Sequence, residues 1–193
     1  MKHVGTKVLE TSRLLLRPFE ISDAPILYKN WGGDGQVTKY LRWPTHKNEE
    51  DSREIVELWM DRYRDPSFYQ WAIVLKDLGE NIGAISVVDH DDRVEMVHIG
   101  YCIGSRWWGQ GITTEALGRV IQFFFEEVGI RRIESQHDPE NIGSGKVMEK
   151  CGMIYEGTHR QSDWSNRGIV DAKIYGILRS DWFAQKDLSK KKG

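Results

Sequence analysis

A chain of 193 residues, 39% hydrophobic and 29% charged, can bury a substantial core and is too apolar for a disordered segment, so one globular domain is expected. A net charge of −2 gives no general attraction to nucleic acid, and no apolar run approaches the ~20 residues a membrane helix needs, so neither is an expected partner. The opening MKHVGTKVLETSR has no apolar signal region, which predicts a cytoplasmic protein with Cys102 and Cys151 reduced, and no cysteine–histidine cluster has zinc spacing.

In chain order, RLLLRPF (residues 13–19) is an apolar run closed by a proline and predicts a first strand. Ser22 stands as an N-cap, with Pro25 in the first turn of a helix reaching about Trp31. In NEEDSREIVELWMDRYRD (residues 48–65), Ile55, Val56, Trp59 and Tyr63 share one face of an amphipathic helix. YQWAIVL (69–75) and IGAISVV (82–88) predict strands joined by the turn LGEN, and DHDDR (89–93) turns into the strand VHIGYCIG (97–104). From Thr113, the residues Leu117, Val120, Ile121, Phe124 and Val128 keep helical spacing until Gly129. RRIESQH (131–137) predicts a strand and residues 141–151 a short helix ended by Gly152. MIYEGTHR (153–160) and IVDAKIYGIL (169–178) predict strands across the loop QSDWSNRG, and SKKKG (189–193) a solvated end. Interleaved elements early and antiparallel pairs at the centre and end indicate one mixed-sheet α/β domain.

Between a strand and a helix lies SRWWGQGITTEAL (residues 105–117). A strand, a glycine turn and a helix N-terminus together form an anion site, because first-turn N–H groups lack intrahelical partners and the helix dipole favours negative charge. A Walker loop is excluded: Gly104 and Gly109 have the spacing, but Gln110 stands where lysine is required. A Rossmann fingerprint is excluded because Thr114 occupies the place of the third glycine and no early βαβ unit precedes it. What remains is Arg-x-x-Gly-x-Gly, here Arg106, Gly109 and Gly111, with an ordinary tight turn as the plainer alternative.

That pattern resembles the pyrophosphate loop of the GNAT superfamily of N-acetyltransferases, and it does not stand alone. IGYCIGSRWWGQGITTEAL resembles the family's strand–loop–helix over its whole length, PENIGSGKVMEKCGM its second motif, and LETSRLLLRPFEISDA the opening of many members. The resemblance runs from Leu9 to Trp182 and is strongest to ribosomal-protein N-terminal acetyltransferases, which act on alanine or serine N-termini. It implies a mixed α/β acetyltransferase domain over residues 9–183 and a basic tail at 184–193. It further implies a mostly antiparallel sheet of about six to seven strands, splayed at the cofactor cleft, with flanking helices. Acetyl-CoA is the implied co-substrate, with an amine acceptor, no metal, and a monomer or homodimer.

The family's chemistry distributes roles over this sequence. The strand before the loop splays from its neighbour at a bulge, which places Tyr101, Cys102 and Ile103 along the pantetheine arm. Backbone groups of Gly109, Gln110, Gly111, Ile112 and Thr113 face the pyrophosphate. Arg106 either adds charge or stays a solvated rim residue, and Trp107 and Trp108 either anchor the loop or cover the cofactor. Where many members carry a glutamate two residues before the Gly-Tyr pair, this chain has His98, with Glu95 three residues earlier. Either is a candidate base, or His98 is only a hydrogen-bonded strand residue. Where many members place a tyrosine, this chain has Met148, and Ser144 matches the serine that the N-terminal branch has in this helix. Ser144 protonates the leaving thiolate or merely caps the helix, and Asn141 holds the pantetheine or a strand end. Asp163, in the predicted last loop, resembles an acidic base or substrate anchor, or is a turn aspartate. Trp31, Tyr40 and Trp43 are candidate walls of the acceptor slot.

An acetyltransferase acting on a protein N-terminus is the leading expectation. A small-amine acetyltransferase, which a strongly acidic acceptor mouth would favour, and a non-catalytic acyl-CoA-binding module are the alternatives.

Overall fold

A computed structural model describes residues 1–190. Eight strands form one sheet in the order β1-β2-β3-β4-β5-β6-β8-β7. They are β1 Leu9–Glu10, β2 Leu14–Arg17, β3 Gln70–Leu75, β4 Glu80–Asp91, β5 Met96–Ile103, β6 Arg132–His137, β7 Ile154–Ser165 and β8 Gly168–Leu178. Every neighbouring pair is antiparallel except β5 and β6. The sheet exceeds the six to seven strands expected because β1 spans two residues, too few to carry a sequence period.

Helix α1 (Asp23–Leu27) widens into a π turn at Tyr28–Gly32, and α2 (Gly35–Thr38) follows. Ser22 does occupy the N-cap of α1 but makes no side-chain cap; Asp23 is instead fixed by Arg17 at 2.7 Å. Helix α3 (Glu49–Arg62) is capped by Asn48, whose Oδ1 accepts from the Glu50 and Asp51 N–H groups, and three acidic residues in its first turn suit the dipole. Helix α4 (Ile112–Phe123) ends in a π turn before Gly129, and α5 (Ile142–Lys150) and α6 (Arg179–Lys190) complete the chain. Helix α6 crosses the boundary expected at residue 183; Trp182 packs on the core and Lys186 pairs with Glu126 at 2.5 Å. Residues 191–193 of the basic tail lie outside the described residues.

Both faces of the central sheet are covered. Trp71 and Ile73 of β3 point into the layer beneath α4, where Tyr69 stacks on Trp71 at 5.8 Å and both meet Phe123 and Phe124 edge to face at 5.0–6.3 Å. Ala72 and Val74, alternating with them, join Phe19, Leu27, Trp31 and Val56 beneath α1 and α3. Two-sided burial is why β3 reads as an unbroken apolar run. The loop expected at QSDWSNRG is mostly strand: β7 continues to Ser165 and turns through Asn166 and Arg167. Cys102 and Cys151 are free thiols, and burial pushes each up to about 12.

The sheet divides where β5 meets β6. Strand β4 stays paired with β5 as far as Ile103, whereas β6 pairs with β5 only from Met96 to His98. Beyond His98 the β6-facing backbone of β5 has no strand partner; side chains take Ile99 O, from Ser135 Oγ at 2.8 Å, and Ile103 O, from Trp108 Nε1 at 2.9 Å. The accompanying bulge falls in β4, between Val87 and Asp89, rather than in β5 as expected. Its extra residue, Val88, lies over Gly100.

Candidate active site

A cavity of about 510 Å³ occupies the divide, with His98, Gly100, Tyr101, Cys102, Asn141 and Ser144 among its lining residues. Alternation along β5 turns Cys102 toward the α1–α3 layer and Tyr101 toward the α4 layer, so the opening passes through the sheet.

On one side lies the glycine loop. Gly109 and Gly111 hold φ of +74° and +73°, left-handed values that a β-branched residue resists. A Cβ at Gly109 would meet nothing within 4 Å, and at Gly111 only the Arg13 guanidinium at 3.8 Å. The glycines therefore serve the backbone's course, and the space above them is open. Gly111 is the N-cap of α4 and no side chain caps that helix, so its first N–H groups, which have no intrahelical partners, open on this space. Ile112 is buried and contributes backbone only. The paired tryptophans divide the two roles offered them: Trp107 is buried as an anchor, while Trp108 is half exposed and donates from Nε1 to Ile103 O at 2.9 Å. Arg106 is exposed, 5.7 Å from the Trp107 ring, and its carbonyl accepts from Gln110 Nε2 at 3.1 Å.

A strut that sequence reasoning missed holds this loop. Arg13 donates to Gln110 O at 3.0 Å and to Glu115 Oε2 at 2.6 Å, while Thr11 Oγ donates to Glu115 Oε1 at 2.5 Å. Burial works against ionisation of Glu115, but these donors prevail and hold its carboxyl below the usual range. About a hundred residues separate the partners, so no local pattern could signal them.

At the start of α5 the cap is Asn141, whose Oδ1 accepts from Ser144 N at 3.3 Å. Ser144 is thereby free of capping. Its Oγ donates to the Tyr101 hydroxyl at 3.1 Å, which donates in turn to Ser144 O at 3.0 Å. Burial pushes the Tyr101 phenol far above its ordinary range, so it remains protonated. Met148 is fully buried in the core, and Lys146 and Lys150 are exposed.

The side expected to take the acceptor faces α1–α3. Trp31 is buried with Nε1 donating to Asn81 Oδ1 at 3.0 Å, Trp43 meets it edge-on at 6.0 Å, and Tyr40 and Trp59 line the same cavity. The role of Trp59 as a wall was hidden behind its helical period. His98 reaches this side, as alternation predicts; burial pushes its imidazole below the ordinary value, with Glu134 pulling the other way. Asp163 lies in β7, not in a loop, and accepts from Arg42 at 2.8 Å and Gln136 at 2.6 Å. Asp138 is likewise paired, with Arg167 at 2.7 Å. Asp89 also lines the cavity, and among the described residues it has no ion pair. Glu95 is not brought to the cleft. It sits at φ +52° before β5, about 10 Å along the strand from His98, and lines a separate cavity of about 590 Å³ with Arg131 and Phe183.

The divide at the one parallel pair thus brings together a glycine loop that opens a helix and the two hydroxyls of Tyr101 and Ser144. A family profile described as an acetyltransferase (GNAT) domain matches residues 13–154. The chain is 27% identical to the uncharacterized N-acetyltransferase p20 of Bacillus licheniformis, over 91% of this chain and 98% of that protein. It is similar in fold to RimL, a ribosomal L7/L12 α-N-protein acetyltransferase solved with coenzyme A (TM-score 0.79, 20% identity, 89% and 98% covered). It is also similar in fold to the microcin C7 self-immunity acetyltransferase MccE, solved with acetyl-CoA and AMP (0.79, 23%, 87% and 93%). The chain belongs to the GNAT acetyltransferases and is an N-acetyltransferase. Among the described residues no helix is long and apolar enough to cross a membrane.

Proposed function

We propose that the protein transfers acetyl from acetyl-CoA to the α-amino group of a polypeptide N-terminus. The observation that carries this reading is the charge balance of the acceptor cavity. Arg42 and Arg167 neutralise Asp163 and Asp138, leaving Asp89 as the carboxylate without an ion pair among the described residues. A polyamine or aminoglycoside carries several charges and calls for several unpaired carboxylates. An N-terminus carries one, beside side chains that aromatic walls accept. RimL, similar in fold, is named for acetylating a protein α-amino group.

Acetyl-CoA, once bound, supplies an acyl group activated as a thioester. The N–H groups at Gly111 through Thr113 hold its phosphates, and the unpaired β5 backbone beyond His98 holds its pantetheine. Neutral His98 accepts the proton that the amine must lose, directly or through water. The demand is modest, because an α-amino group titrates near ~8, against ~10.4 for lysine. Ser144 turns its hydroxyl from Tyr101 to the departing sulfur and relays to it a proton that Oγ regains from solvent, while Asp163, held by Arg42 and Gln136, anchors the acceptor chain.

An acceptor screen that follows CoA release tests this reading. Alanine- and serine-initiated peptides should turn over with higher kcat/KM than spermidine, an aminoglycoside or free lysine. Preference for a polycation would shift the assignment to small amines.

A further inference from the structure

Away from the cleft, a side chain from the chain's first residues meets two from the β4–β5 hairpin. His3, His90 and Asp92 each offer one ligand atom, and these atoms lie within 4.8 Å of one another. His3 Nε2 is 3.1 Å from Asp92 Oδ1, and His90 Nε2 is 3.8 Å from the same oxygen. The two imidazoles lie edge to face at 5.0 Å. We propose that this cluster is a surface site for a zinc-type divalent cation, with two imidazole ligands, one carboxylate and a position left for water.

Geometry and support both favour that class of ion. Zinc binds imidazole nitrogen and carboxylate oxygen at ~2.0–2.2 Å, which places tetrahedral ligands about 3.3 Å apart, between the two distances seen here. Calcium and magnesium favour all-oxygen shells, whereas imidazole suits zinc and its late-transition neighbours. The ligands are held in place beforehand. His90, near the end of β4, and Asp92, in the turn just past it, lie two residues apart. Asp91 between them is taken by Arg93 at 2.6 Å, leaving Asp92 to its histidines. His3 is positioned by its neighbours: Val4 N donates to the Tyr69 hydroxyl at 3.1 Å, Gly5 N to Pro66 O at 2.9 Å, and Thr6 Oγ to Phe68 O at 3.0 Å. The Tyr69 hydroxyl also lies 3.3 Å from His3 Nδ1, an outer partner that fixes ring orientation as second partners do in metal sites.

A metal-bound imidazole keeps its one proton on the other ring nitrogen, so with the cation on Nε2 the His3 proton lies on Nδ1, toward the Tyr69 hydroxyl at 3.3 Å. The bound ion would tie the chain's first residues to the hairpin whose base carries Asp89 and His98.

The test is titration of tag-free, full-length protein with zinc chloride by calorimetry, against His3→Ala, His90→Ala and Asp92→Asn. All three positions lie outside the acetyl-transfer cleft, so each variant should bind CoA with wild-type affinity, which certifies its fold. One saturable zinc site is expected in the wild type, weakened at least tenfold in every variant. No saturable binding in the wild type, or wild-type zinc affinity in any one of the three, overturns the proposal. Loss in His3→Ala alone, with both hairpin variants unaffected, is such an outcome and would mean a chelate that does not use the hairpin.

Discussion

Ser144 and His98 sit on opposite sides of the divide, and each has a distinct kinetic signature. The hydroxyl of Ser144 is not engaged in capping, since Asn141 has that role, so Ser144→Ala removes a proton donor and leaves the helix cap in place. A donor to a departing thiolate matters only as charge builds on sulfur, so kcat should fall with little change in acetyl-CoA affinity. Thiolates leave readily, which puts the loss at about a hundredfold, the low end of general-acid effects. Steady-state kinetics with the CoA affinity measured separately would decide it; an unchanged kcat would remove Ser144 from the chemistry. His98 bears on pH. Its imidazole titrates below the ordinary ~6.5, so the acidic limb of kcat/KM should lie below that value, and His98→Ala should shift or abolish the limb. The substrate amine titrates as well, so both enzymes must be compared on one acceptor. An unshifted profile with undiminished rate would pass the role to Asp163 or to solvent.

At the scale of elements, the glycine loop depends on a contact between the β1–β2 turn and α4. Arg13 is nearly half exposed, so Arg13→Ala should cost no more than about 1 kcal/mol of stability. It also frees Glu115 and the Gln110 carbonyl, and the loop loses its brace, so CoA should bind severalfold more weakly. Gly111→Val should weaken CoA binding much further, because the side chain both resists φ +73° and enters the open phosphate space. Calorimetry on the two variants checks the order; equal and unchanged affinities would contradict the loop's assignment. The glycines were legible in the sequence because a turn of positive φ is a local demand with a local residue answer. The strut was not, nor were the pairings Tyr101–Ser144 and Arg42–Asp163, since their partners lie 102, 43 and 121 residues apart. Strand β7 was read short because it is exposed on both faces, so no alternating apolar period marks its second half. Glu95 was misplaced for the opposite reason: nearness in sequence to His98 says nothing of where a positive-φ residue turns its side chain.

For the whole molecule, the burial that keeps His98 neutral at neutral pH also sets how the fold responds to acid. His46, His98 and His137 all titrate below the ordinary imidazole value, in each case chiefly because burial disfavours the charged ring. His137 also donates from Nδ1 to Asp138 O at 2.8 Å, and its Nε2, buried beneath α5, meets no donor among the described residues. The unfolded chain, with imidazoles near ~6.5, takes up these protons before the folded one does. Between the two sets of values the unfolded state binds more protons, so stability is fullest above ~6.5 and declines as pH falls through that value. Carboxylates such as Glu115, held below their usual range, add their loss only at lower pH, so a window from about pH 7.5 to about pH 5.5 isolates the histidines. The thermal midpoint, measured without CoA across that window, should fall steadily toward the acid end. His98→Gln, which keeps a polar side chain but cannot titrate, should flatten part of the decline. A midpoint constant across the window would mean that the three imidazoles accept protons in the folded protein as readily as in water, and His98 would then lose its standing as the neutral base of the cleft.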